Sequence, residues 1–515
     1  MISMSNADVR ASTVTRALAW SAAVGIALSL LIMVVVAANG PSVSVPRLTH
    51  PAEGPPWWHS LHLRPAVILL SLWAAAVFAT AGVTAGLVAI SRGARPPVRP
   101  LLAGVFLVIT LFTVLPPAGS TDTVSYAIDG SMVVAGHSPY TMTPTEFLAT
   151  GAQIARNSPG PWQNSLSDYG PLATASEWAA AKLGGNSTGR ITFWLKLCTS
   201  LAFGAVVLLL DRLLRTDPAM RLRGHLLWSA NPLMLWEIVA SGHIDGVAIA
   251  FGLAGIVVLR AARPGADPGL GRALAAGLLV GAAIAVKSPF ALFALGAGWA
   301  LRRHLAALGS FAVGCLVTLA PPYLLAGRPA VTVLFRRANE VAWDNLYQVF
   351  WRSVGYTGKH PAHLDIITTI VFLIVAVIVC KRLPPRIPSL PAVTPSLALS
   401  LAWAFTWPFQ RPWYDVMIIA LLAFYPASRL DWVVLIRLCF AAISHMMAVV
   451  LPQGRLLALQ TLEAEWITST ARLLALGALI WLCVSGRWGW RSGPAGAPAM
   501  ATELRPLPGG VDLPG

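Results

Sequence analysis

Five short polar motifs break an otherwise apolar chain, and their residue types are those of proton transfer and phosphate binding. The first runs Thr121-Asp-Thr-Val-Ser-Tyr126 and closes on Gly136-His-Ser-Pro-Tyr140. Its Asp122 lies just past an apolar stretch, where a carboxylate at the wet mouth of a helix bundle can take a proton from an acceptor hydroxyl. The competing reading of this Ser/Thr/Asp run is a helix N-cap. Tyr169-Gly-Pro-Leu172 is the second motif. The third, Ser241-Gly-His-Ile-Asp-Gly246, sets His243 and Asp245 two residues apart on a tight turn between apolar stretches. Two ionisable groups there are costly unless they bind or pair, and capping of the next helix is the alternative. The fourth, Val286-Lys-Ser-Pro289, puts Lys287 where an apolar stretch is too long for one span and must turn. Its cation suits an anion such as a lipid phosphate, with snorkelling to the interface as the plain alternative. The fifth, Arg411-Pro-Trp-Tyr414, adds a guanidinium and rings to the end of a further span. Arg336 and Arg337 offer a second pair of fork-shaped phosphate donors.

The elements that must hold these groups are transmembrane helices. Of 515 residues 56% are hydrophobic and only 11% charged, and the mean hydropathy is +0.68. Apolar stretches of roughly 15 to 25 residues, bounded by Arg, Pro, Gly or Trp, predict an all-α polytopic bundle of about fourteen spans. The first covers residues 17–38 and the last 471–485. Arg and Lys gather on every second loop, which predicts cytoplasmic termini, residues 1–16 and a disordered tail over 486–515. The catalytic bundle is then 17–485, with outer loops at 118–192, 326–363 and 452–470. The formal charge of +16 reflects this loop pattern, and its spread excludes a nucleic-acid face. The five cysteines lie in apolar spans without pairing or metal spacing.

The outer loop 118–192 also carries Asp129, Glu146, Asp168 and Glu177 among Pro and Gly turns, so it is expected to fold onto the bundle. Taken singly, each of these acids reads as solvated loop charge. In 326–363 the aromatics Trp343, Tyr347, Phe350 and Trp351 fall on one helical face, an interfacial anchor.

With these five motifs in this order, the chain resembles the GT-C class of polytopic glycosyltransferases, specifically the actinobacterial polyprenol-phosphate-mannose-dependent α-(1→6)-mannosyltransferases. The resemblance implies inverting transfer of a sugar, mannose first, from a polyprenyl-phosphate donor to a glycan or glycolipid acceptor outside the cytoplasmic membrane, as in cell-envelope lipoglycan assembly. It implies an outer-loop Asp as base, which falls on Asp122. Two departures stand out: Ser241 and Ile244 occupy places where the family turn more often has Gly and Asn.

Together these readings assign Asp122 as base, and Lys287, Arg411, Arg336, Arg337 and His243 to the donor phosphate. Asp245, Tyr126, Tyr140, Tyr169 and Tyr414 are assigned to orienting substrate. A phosphate leaving group needs no protonation at neutral pH, so one base and a cationic cradle suffice without a cofactor. No ligand spacing demands a metal, and dependence on a divalent ion is left open. The competing class is a lipid or glycolipid transporter, whose marks would be mid-span charges and corresponding halves. A non-catalytic envelope scaffold is the third alternative.

Overall fold

The computed structural model describes residues 6–49, 53–260, 263, 265–338, 362–383, 387, 389–446 and 455–489. In chain order the first helices are α1 (Asn6–Ala38), α2 (Pro65–Ser91), α3 (Val98–Val114), α4 (Asp122–Val134), α5 (Pro144–Ala149), α6 (Pro171–Gly184) and α7 (Thr188–Leu214). A broken segment follows: α8 (Pro218–Gly224), a π turn His225–Ser229, α9 (Pro232–Met234), a second π turn Leu235–Ala240, and α10 (Asp245–Val258). Next come α11 (Leu270–Val286), α12 (Ala291–Leu301), α13 (Leu305–Ala326), α14 (Arg328–Ala338), α15 (Ala362–Arg382), α16 (Val393–Thr406), α17 (Val416–Leu422), α18 (Arg429–Ile443), α19 (Arg455–Thr461) and α20 (Ser469–Ser485). Among the described residues the only β pairing is an isolated bridge between Asn39 and His59. The all-α expectation therefore holds.

The boundaries follow from local chemistry. Proline opens α2, α5, α6, α8 and α9, where its missing N–H costs nothing. Asp217 and Asn231 cap α8 and α9 through their side-chain oxygens, and Ser428 with Asp431 forms a capping box on α18.

Among the described residues, five segments are long and apolar enough to cross a membrane: residues 12–38, α2, α7, α13 and 456–485. The bent pair 218–240 and 245–258 makes a sixth if counted as one span. The expected fourteen spans are thus matched in part. The apolar stretches read at 225–241 and 247–260 meet at a bend of 116° around Ser241–Ile244. Five further apolar helices, α3, α11, Ser288–Leu301, α16 and Pro412–Leu422, have only 10–17 residues, less than the roughly 20 that a bilayer core requires of one straight helix. Apolar side chains on the long helices point outward, among them Leu31, Leu201, Leu325 and Leu474 at 60%, 67%, 90% and 68% exposure. An outward apolar surface of this kind fits a membrane protein.

Within 118–192 the helices α4, α5 and α6 form, and α4 and α6 pack backbone to backbone. A Cβ on Gly130 would stand 2.2 Å from the Glu177 carbonyl oxygen, so only glycine permits this approach. The same device joins α11 to α13, where a Cβ on Gly277 would lie 2.1 Å from the Phe311 carbonyl oxygen. The stretch 455–485, expected to begin as a loop, is helix from Arg455 onward with a π turn at Leu462–Thr468.

Buried ion pairs tie the second half together. Arg223 of α8 bonds Asp431 at 2.5 Å and donates to the Leu422 carbonyl at 2.8 Å. Arg437 of α18 pairs with Asp415 and donates to the Ala404 carbonyl at 2.8 Å. Gly130→Ala is expected to cost ~1–3 kcal/mol by overpacking the α4–α6 contact, read as a lower Tm of the detergent-solubilised protein. An unchanged Tm would show that the two helices do not depend on that approach.

Candidate active site

Four helix ends converge on the Asp122 carboxylate. Thr121 holds the N-cap position of α4 and makes no side-chain cap bond, while the Ser120 hydroxyl accepts from the Asp122 amide at 3.1 Å. Asp122 is thus the first helical residue, and its carboxylate is used elsewhere. Tyr169, just before α6, donates its hydroxyl to Asp122 Oδ2 at 3.3 Å, and Tyr126 donates to the Tyr169 hydroxyl at 3.3 Å. His243 Nε2 stands 3.6 Å from the same Oδ2. Asp122 keeps 13% of its side chain exposed, whereas His243 is fully buried.

Tyr169 also connects the carboxylate to the cation. Lys287 Nζ lies 5.3 Å from the Tyr169 ring centre and 4.7 Å from that of Tyr414. Both are cation–π distances. Lys287 breaks the apolar run as expected: α11 ends at Val286, Lys287 is extended, and a 3-10 turn Ser288–Phe290 leads into α12. Its ammonium does not stand alone, for it bonds Asp245 Oδ2 at 2.6 Å. Asp245 therefore serves as the partner of Lys287, and the His-Asp cap expected for α10 is absent: Ile244 is the N-cap, with no side-chain bond. Asp122, Tyr126, Tyr169, His243, Asp245, Lys287 and Tyr414 form one contiguous cluster.

Burial is possible here because backbone lattices fix the chain. Gly170 N donates to the Val286 carbonyl at 3.0 Å, and a Cβ on Gly170 would fall 2.1 Å from the Ala285 carbonyl oxygen. Ala118 N donates to the Ala240 carbonyl at 3.1 Å, and the Ser241 hydroxyl donates to the Ala118 carbonyl at 2.7 Å. Thr123 Oγ1 donates to the Ser241 carbonyl. Gly242 turns the chain at a φ of +74°, a conformation that favours glycine.

The remaining candidates are arranged around this cluster. Trp413 stacks on His243 with centroids 3.8 Å apart, and His445 meets Trp413 edge-on at 5.8 Å. Arg411 Nη1 lies 2.7 Å from His445 Nε2, so the guanidinium sits behind Trp413 and is joined to the centre through rings. Tyr140 does not reach Asp122. Its hydroxyl donates to the Tyr169 carbonyl at 3.0 Å and lies 2.8 Å from Thr174 Oγ1, which makes it a support for the Tyr169 turn. Arg336 and Arg337 fall on the backbone of α14, but their side chains lie outside the described residues, as do Trp343, Tyr347, Phe350 and Trp351.

Sequence reasoning missed Lys196. It sits in the middle of α7, fully buried, and donates to the carbonyls of Phe112, Leu115 and Pro116 at 2.5, 2.7 and 3.0 Å. Three acceptors match the three N–H bonds of an ammonium, at a helix C-terminus where a cation is favoured. Its stem also flanks the turn, since a Cβ on Gly242 would lie 2.9 Å from Lys196 Cγ. A lone lysine within an apolar span was the available signal.

Behind the centre lies a second acidic group. Asp129 and Glu177 are buried between α4 and α6, and neither oxygen of Glu177 has a hydrogen-bond partner. Burial first, opposed by the Ser167 hydroxyl and aided by Asp168, pushes the Asp129 carboxyl up to about 7. Burial and the neighbouring Asp129 and Asp168 raise Glu177 as well. Burial, then Asp122, raises the Tyr126 and Tyr169 phenols, so both remain hydroxyl donors. Among the described residues no group of three or more His, Cys, Asp or Glu is placed to hold a metal.

An apolar helical bundle with a carboxylate, an imidazole and an ammonium gathered where its helices end has the make-up of a membrane-embedded group-transfer enzyme. The chain belongs to the family described as "Alpha-(1->6)-mannopyranosyltransferase, N-terminal domain", whose model matches residues 22–303. It is also similar to a probable alpha-(1->6)-mannopyranosyltransferase of Mycolicibacterium smegmatis, at 26% identity over 162 residues. That match covers 32% of this chain and 29% of the relative, so the similar region spans under a third of either. No solved structure matches. The family region contains every member of the cluster except Tyr414.

Two outcomes follow from this geometry. Lys196→Met leaves three carbonyls without their ammonium and is expected to lower stability by about 1–3 kcal/mol for each group left unsatisfied, read as Tm; no loss would show that the clamp is idle. Asp129 has a folded pKa of about 7 against an unfolded ~3.9, so its folded state holds the proton more tightly. Its contribution is complete at low pH and lost as pH rises through about 7. The Tm of wild type minus that of Asp129→Asn should therefore fall between pH 5 and 8, and a constant difference would contradict the raised value.

Proposed function

We propose that the protein moves a mannosyl group from a polyprenyl-phosphate donor to a glycan or glycolipid acceptor, with inversion, Asp122 acting as base. The reading is supported above all by the position of Asp122: partly exposed, hydrogen-bonded by Tyr169, and joined through that ring to the Lys287 ammonium. In this reading Asp122 takes the acceptor proton, the acceptor oxygen attacks the anomeric carbon, and the phosphate departs with the electron pair.

On the leaving side Lys287 holds the phosphate while bonded to Asp245, and Arg411 assists from behind Trp413; Arg336 and Arg337 are further cations for the same headgroup. Asp245 fixes Lys287, and Tyr126, Tyr169 and Tyr414 line the sugar. The phosphate leaves as an anion, so the chemistry requires no cofactor beyond the lipid-linked donor, and dependence on a divalent ion stays open. The alternating basic loops support a multi-pass placement with cytoplasmic termini and the centre on the extracytoplasmic face. The partners are then the bilayer, the lipid-linked sugar and the acceptor.

Asp122→Asn, at wild-type abundance in membranes, is expected to reduce transfer of labelled mannose from polyprenyl-phosphate mannose by roughly 10²–10⁴-fold. Transfer at the wild-type rate would remove Asp122 as base.

A further inference from the structure

His243 is built to face Asp122 rather than the donor phosphate. Its Nδ1 bonds the Glu237 carbonyl, which commits that nitrogen as the donor and leaves the Nε2 lone pair aimed at Asp122. Nε2 is buried and has no hydrogen-bond partner. The imidazole stacks on Trp413 at 3.8 Å with its ring only 25° from parallel, which favours this orientation. A separation of 3.6 Å is too wide for a direct hydrogen bond to Asp122 Oδ2. An oxygen at about 2.8 Å from both atoms is compatible with that separation, and because Nε2 is buried it would enter from the exposed edge of Asp122.

We propose that Asp122 and His243 form a two-membered base that receives the acceptor hydroxyl between Oδ2 and Nε2, with His243 a catalytic residue and not a phosphate ligand. This rests on the transferase reading above, in which a hydroxyl must lose its proton at Asp122. In the step, the hydroxyl O–H bond breaks and its proton passes to the pair. The acceptor oxygen forms its bond to the anomeric carbon, and the bond from that carbon to the phosphate oxygen breaks with both electrons going to phosphate. The proton rests between carboxylate and imidazole and leaves to water through the exposed edge of Asp122.

The charged and titratable groups around the imidazole come from each neighbouring element. Asp122 belongs to α4, Tyr169 precedes α6, Glu237 lies in the π turn, and Lys287 follows α11. Trp413 separates His243 from His445 and Arg411. Lys287 is engaged by Asp245 at 2.6 Å, whereas Nε2 faces the Asp122 carboxylate at 3.6 Å, so this nitrogen is placed to meet a hydroxyl at Asp122.

His243→Asn keeps an amide N–H toward the Glu237 carbonyl and deletes Nε2. In full-length protein in membranes, with polyprenyl-phosphate mannose as donor, kcat is expected to fall roughly 10²-fold or more while the donor KM stays unchanged. The double variant with Asp122→Asn is expected to lose little beyond the larger single loss, since residues acting as one unit are not additive. If His243→Asn does not accumulate, His243→Gln with the same readouts decides the question. A raised donor KM with kcat retained, or fully additive losses, would overturn the proposal. Full activity of Asp122→Asn alone would overturn the transferase base on which it stands, a separate result.

Discussion

The contact on which the rest of the centre depends is the Lys287–Asp245 ion pair. An ammonium and a carboxylate this deeply buried survive only as partners, since either one alone would be an uncompensated charge. Their pairing accounts for two breaks in the helical framework at once. α11 must stop at Val286 for Lys287 to extend, and α10 must start at Asp245 for its carboxylate to reach across. Once both helices end at that point, the free backbone groups need partners. Gly170 supplies one by donating to the Val286 carbonyl, and this carries Tyr169 to the position between Lys287 and Asp122.

Close backbone approach is the second constraint, and it turns a polar stretch into part of the bundle. Residues 118–192 contain five acids, which as a free loop would be solvated. Gly130 and Gly170 instead let α4 and the start of α6 press against neighbouring backbone. The result buries Asp129 and Glu177, whose carboxyls are raised by that burial and by nearby Asp168. Asp122 differs from these two by lying at the N-terminus of α4, with one edge in solvent and a phenol donor on the other. Three carboxylates in one segment thus acquire different surroundings from depth and neighbours.

Much of this was legible in the chain, and the failures have definite physical causes. The positions of the polar motifs announced helix ends, because charge in an apolar run demands a break; Lys287-Ser-Pro289 and the turn at Ser241–Ile244 both follow that logic. Hydropathy registers apolar length and not direction, so the stretches 218–240 and 245–258, bent by 116°, read alike as two crossings or as one broken span. Lys196 was overlooked because its meaning lies in three carbonyls 80 to 84 residues away. Tyr140 and Tyr169 looked equivalent in sequence, yet one supports the turn and the other touches the carboxylate. Which tyrosine points inward is decided by packing between α4 and α6, which no local pattern encodes.

The family region ends at residue 303, and the centre does not. Asp122, Tyr169, His243, Asp245 and Lys287 all precede that limit, so the base and its supporting ion pair come from the first part of the chain. Trp413, Tyr414, Arg411 and His445 come from the second, held by Arg437, which ties Asp415 to the Ala404 carbonyl. Trp413 forms one wall of His243, and Tyr414 one wall of Lys287. The first part therefore supplies Asp122, His243 and the Lys287–Asp245 pair, while the second supplies the rings that cover them. Packing of α17 against α10 brings those rings to the centre, so residues outside the shared family segment complete its walls.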